Sequence, residues 1–116
     1  MAENEGIVYI DWDDGLKRVM NNLKLYIRLL DKFKAGTNLN DLSAALAAGD
    51  YEKAQAAAHT VKGVAANLSL MELYKQALGV EEQIKAQSVK PGAFDALNAC
   101  FTETLVSIDK AIADHV

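Results

Sequence analysis

Of the side chains in this 116-residue chain that could do covalent chemistry, His59 has the most unusual neighbours: Lys62 follows three residues later and Gly63 four. Histidine offers a neutral ring nitrogen as a nucleophile near neutral pH. If the segment is helical, Lys62 sets an ammonium beside the same ring. Phosphoryl transfer suits such a pair, because it asks for positioning and charge compensation more than for covalent help from the protein. The competing reading is an ordinary exposed histidine next to a tolerated glycine. Periodicity alone leaves both open.

The pattern around His59 is that of a helix with one apolar side. At about 100° per residue, Ala54, Ala57, Ala58, Val61, Val64, Ala65 and Leu68 form a broad core face. Glu52, Gln55, Ala56, Lys62, Gly63 and Ala66 all lie within roughly 60° of His59, on the side away from the core. Gly63 costs about 1 kcal/mol relative to alanine inside a helix, and no turn explains it, since the apolar pattern continues beyond it. With Ala56 and Ala66 it makes a flat strip, flanked by Gln55, from which the imidazole projects toward an approaching macromolecule. An acceptor for the second ring nitrogen would fix the tautomer. The next helix, packed antiparallel, offers Glu81 and Glu82 in its second half.

The remaining elements are helical too. Asp11 caps a short first helix reaching about Met20, and Asn21-Asn22 interrupts it. Leu23, Tyr26, Ile27, Leu30 and Phe33 mark one face of a second helix, stopped by Gly36 in the usual C-terminal position. Asn38 or Asn40 starts a third, ended by Gly49. Asp50 caps the fourth, which runs over about 50–68, and Ser69 caps the fifth. The fifth carries Leu70, Leu73, Leu78 and Ile84 and stops before Pro91, and the last presents Phe94, Leu97, Phe101, Leu105, Ile108 and Ile112. The expected fold is all-α, an antiparallel up-and-down four-helix bundle with short extra N-terminal helices. Residues 1–116 read as one domain, with residues 1–10, including the run Ile7-Val8-Tyr9-Ile10, as an N-terminal arm on the core.

Composition excludes several classes. The net charge is −4 with both signs interspersed, so a nucleic-acid footprint is missing. The one cysteine, Cys100, lies among apolar residues and reads as a buried thiol. Acids at the N-terminus do not suit a secretory signal, and no apolar run approaches the length of a membrane span. The expectation is a cytoplasmic, freestanding monomer without a metal site. His115 reads as a solvated tail residue, and Trp12 and Tyr9 as packing aromatics.

The stretch Ala58-His59-Thr60-Val61-Lys62-Gly63-Val64-Ala65-Ala66-Asn67-Leu68 resembles the signature of histidine phosphotransfer (HPt) domains: His-x-x-Lys-Gly, small residues, then a turn. Ala44 through Tyr51 is similar to the family's lead-in to that helix, and Asp11 through Phe33 to its opening helices. The resemblance covers about residues 8–85. It implies that His59 is the phosphoacceptor through Nε2, that Lys62 contacts or screens the phosphoryl group, and that Gly63 gives the partner room. It also implies that Glu81 holds Nδ1. Two departures are Ser69, where the family usually has glycine, and Val61 in place of a more usual leucine.

The partners implied are response-regulator receiver domains and a sensor or hybrid histidine kinase. The chain would need no cofactor of its own, with the required Mg²⁺ held by the receiver, and without a Gly-rich nucleotide loop it would not be a kinase. Gln55, Ala56, Gly63 and Ala66 would meet the partner, with Trp12, Leu16 and Val19 as further contributors. The alternative is a helical docking module of the same fold without phosphoryl chemistry.

Overall fold

The computed structural model describes residues 7–115. Six helices follow one another: α1 (Trp12–Arg18), α2 (Leu23–Gly36), α3 (Asn40–Ala48), α4 (Tyr51–Asn67), α5 (Met71–Lys85) and α6 (Ala93–His115). There is no strand among the described residues. As the periodicity predicts, four longer helices make the bundle and α1 and α3 are short. Of the N-terminal arm, residues 1–6 lie outside the described residues; Tyr9 and Ile10 pack on the core, while Ile7 and Val8 stay exposed.

Three helices, α1, α2 and α4, start where a short polar side chain accepts from a backbone N–H of the first turn. Asp11, Asn22 and Asp50 accept from the backbone N–H of Asp14, Leu25 and Lys53. Gly49 ends α3 in the left-handed region at φ 69°. Gly36 acts differently from expectation. It is the last helical residue of α2, and the chain leaves through an extended Thr37 whose N–H still reaches Phe33 O.

α4 and α5 make the tightest pair, with α3 laid on α4 and α6 on α5. Fully buried Ala54, Ala58 and Ala65 on α4 and Ala77 on α5 allow the close approach. Tyr26, Leu30, Leu42, Leu73, Ile84, Leu97 and Ile108 fill the rest of the core, each large apolar side chain stabilising by about 1.5–3 kcal/mol. Leu78 is not among them. The stripe of α5 runs Leu73, Ala77, Val80, Ile84, and Leu78 sits beside it, half-buried outside the core cluster.

The α4–α5 turn is tied down from the N-terminal side. The Tyr26 hydroxyl donates to Leu68 O at 2.7 Å, and burial, then the nearby Asp11 and Asp14 charges, push that phenol's pKa up, so it stays a donor. The Asp11 N–H donates to Ser69 O at 2.9 Å. Ser69 is not the cap of α5, whose N-cap is Leu70 with no side-chain bond. It takes a left-handed φ of 58°, the conformation for which glycine is the usual residue. Its hydroxyl is spent instead on Asp14 Oδ2, 2.6 Å away.

Gly15 makes this anchoring possible. A Cβ there would overlap the Tyr26 hydroxyl and ring. Alanine normally gains about 1 kcal/mol over glycine in a helix. At this position the expected outcome is reversed: Gly15→Ala loses about 1–3 kcal/mol of unfolding free energy through overpacking, read as a lower urea midpoint. An unchanged or raised midpoint would show that Tyr26 can step aside.

Candidate functional site

His59 stands on the solvent side of α4 with its side chain 66% exposed, while Glu81 of α5 lies opposite, 2% exposed, in the α4–α5 interface. Nδ1 of His59 is 3.2 Å from Glu81 Oε2. A carboxylate only accepts, so the contact holds the ring proton on Nδ1 and leaves the Nε2 lone pair facing outward. The imidazole is thus oriented from beneath and open above.

Glu81 is itself held by cations. Lys62 Nζ lies 2.7 Å from Oε1 as an ion pair, and no other donor reaches that buried oxygen. Lys85, one turn further along α5, approaches Oε2 at 3.9 Å. Burial pushes the Glu81 carboxyl up; the contacts of Lys62 and His59, with the charge of Lys85, outweigh it and hold the carboxyl below its usual range.

The structure brings His59, Lys62 and Glu81 together in one cluster. Glu82 points away into solvent. Gln55, Gly63 and Ala66 are half-buried and Ala56 exposed, around the histidine. Among the described residues, nothing beyond its own helix backbone lies within 4 Å of where a Gly63 Cβ would stand, so no packing contact there calls for glycine. Lys62, expected to reach toward a group on the ring, is turned onto the carboxylate and only 19% exposed.

Two features escape a reading of the sequence. Lys85 is one; its i,i+4 spacing from Glu81 is legible, but its nearness to His59 needs the α4–α5 packing. The other is a groove of roughly 630 Å³ between α1, α2 and α4, lined by Val19, Leu29, Phe33, Val64 and Leu68, with Arg18 and Lys32 among its polar walls. On α4 it is lined by Val64, Asn67 and Leu68, on the flank of the helix between the strip and the core. Val19 lines this groove, whereas Trp12 does not. Trp12 is buried, edge-on to Tyr26, with the His115 ring stacked on it at 4.2 Å. His115 is exposed, as its place near the chain end suggests, and its ring lies over Trp12 at the end of α6.

Among the described residues no three His, Cys, Asp or Glu side chains converge as metal ligands, and no helix is long and apolar enough to cross a membrane.

The ion cluster sets a sign for pH dependence. Because the folded carboxyl of Glu81 sits below its ordinary value of 4.5, its contribution to stability is present above that value and is lost as pH falls through the folded one. The destabilisation caused by Glu81→Gln should therefore shrink between about pH 7 and about pH 3, followed by urea unfolding of both proteins. A difference that stays constant over that interval would show that the cations do not hold the charge.

The comparisons with known proteins bear on the same residues. The family model described as Hpt domain matches residues 29–106, about two thirds of the 116 residues. The match spans His59, Lys62, Gly63, Glu81 and Lys85. Neither a curated protein nor a solved structure matches the chain.

Proposed function

The chain belongs to the Hpt domain family, and we propose that within it His59 accepts a phosphoryl group on Nε2 and passes it on. The family sets the general frame, histidine phosphotransfer in a phosphorelay. The observation that carries the assignment to this residue is the buried Glu81 carboxylate on Nδ1 of an otherwise exposed ring.

In the step proposed, the Nε2 lone pair attacks the phosphorus of a receiver's aspartyl phosphate or a kinase's phosphohistidine. A P–N bond forms as the donor's P–O or P–N bond breaks, and the electron pair leaves with the donor's carboxylate or imidazole. The Nδ1 proton stays in place. The ring then carries positive charge beside Glu81, which offsets it, and no group in this chain has to move a proton. The reverse step hands the group to another receiver aspartate. Lys62, paired with that carboxylate, keeps positive charge on the α4 side of the ring.

Hpt domains work as phosphocarriers with receiver domains and histidine kinases. On this reading the Mg²⁺ needed by the transfer belongs to the receiver, and the chain acts as a cytoplasmic monomer. Gln55, Ala56, Gly63 and Ala66 form the floor on which the receiver lands. The neighbouring groove supplies the apolar area that a strip of small residues lacks.

Phosphoryl transfer from a phosphorylated receiver or hybrid kinase tests the assignment. Wild type should take an acid-labile, base-stable label and His59→Gln should take none. Failure of both across a panel of donors would favour a docking module without phosphoryl chemistry.

Gly63→Gln gives a second test with opposite signs. Replacing a helical glycine that has nothing within 4 Å should raise stability by about 0.5–1 kcal/mol. The same side chain should obstruct the partner and slow transfer by about a hundredfold. A stabilised Gly63→Gln that transfers normally would remove the steric role of the strip.

A further inference from the structure

We infer that the cation which follows the phosphoryl group on His59 is Lys85, and that Lys62 is a positioning residue whose positive charge acts through Glu81. The inference rests on His59 being the phosphoacceptor and divides the labour around it.

Three observations separate the two lysines. Lys62 Nζ is 2.7 Å from Glu81 Oε1 and its side chain is 19% exposed. That oxygen is buried and has no other partner, so drawing Lys62 off toward solvent would strand a charge in the helix interface, a strongly unfavourable step. Lys85 has little to lose. Its side chain is 55% exposed, its contact with Oε2 is long at 3.9 Å, and Oε2 already accepts from His59 Nδ1.

Direction completes the case. Helical side chains lean toward the N-terminus of their own helix. On antiparallel α4 and α5, His59 leans toward the turn before it, and Lys85, one turn beyond Glu81, leans back toward the level of Glu81. Their tips converge on the rim of the interface. A phosphoryl group brings about −1.5 to −2 of charge to that rim. A free ammonium there moves onto it, while Lys62 stays where the carboxylate needs it.

Phosphoramidate as donor isolates this chemistry from receiver docking. Nε2 attacks its phosphorus, the P–N bond of the donor breaks, ammonia leaves with the electron pair, and the Nδ1 proton remains on the ring. Wild type, Lys85→Gln, Lys85→Arg and Lys62→Gln are compared by the rate of His59 labelling. The proton on Nδ1 is followed by nitrogen-15 NMR of the unphosphorylated proteins. Lys85→Gln should label about fivefold more slowly, with the Nδ1 signal of wild type, rescue by arginine, and a deficit that shrinks as salt is raised. Lys62→Gln should lose the fixed Nδ1 proton.

Wild-type labelling by Lys85→Gln would overturn the inference, as would slow labelling by Lys62→Gln with its Nδ1 signal intact. A wild type that takes no label on His59 is a different result, and removes the phosphoacceptor assignment itself.

Discussion

The Glu81 carboxylate is charged and 2% exposed, set between two helices that otherwise meet through alanine and aliphatic side chains. A charge so placed is tolerated only while it is paired, because its desolvation is not recovered from packing. Lys62 meets it from α4, Lys85 from its own helix and the His59 ring N–H from the rim. Sliding α5 by one turn against α4 would separate all but the Lys85 contact. The register of this helix pair is therefore an electrostatic matter as well as one of shape.

That register explains the effort spent at the α4–α5 turn. Tyr26 bonds Leu68 O, Asp11 bonds Ser69 O and Asp14 takes the Ser69 hydroxyl, so α1 and α2 hold the hinge from which both helices run. The short first helix lies far from His59 in sequence yet fixes the geometry His59 depends on. Its own position is held by Trp12, packed between Tyr26 and the His115 ring.

The finished site is deliberately half of one in chemical terms. On the reading proposed, His59 is a nucleophile with a fixed tautomer, positive charge nearby and an unobstructed approach. On that reading a macromolecular partner brings the rest, which accords with a bare strip at Ala56, Gly63 and Ala66 and an apolar groove on the flank of α4. Under the same proposal, small residues near His59 let the partner's reacting atom come close, and the larger apolar groove gives it surface to hold.

Much of this was written in local sequence. Helical period placed His59 opposite the core face of α4, the Asp11 and Asp50 caps marked two helix starts, and Gly63 stood out because no local structure needs it. These are properties of neighbouring residues, set by 3.6-residue geometry and by side chains that bond their own backbone. Glu81 could be preferred to Glu82 only through the family resemblance, since which of two adjacent carboxylates turns inward depends on the rotation of α5 against α4. The same dependence hid Lys85, the capture of Lys62 by the carboxylate, the position of Leu78 and the stacking of His115 on Trp12. Ser69 shows the boundary well: its type suggested a cap, but the turn required a left-handed residue, and Asp14, distant in the chain, supplied the bond that keeps a serine there. The sequence by itself determined the helices and the face that carries the nucleophile, because those follow from contacts within a few residues. Tertiary structure alone decided which charges meet the ring, because ion pairs across a helix interface exist only once the two helices have a register.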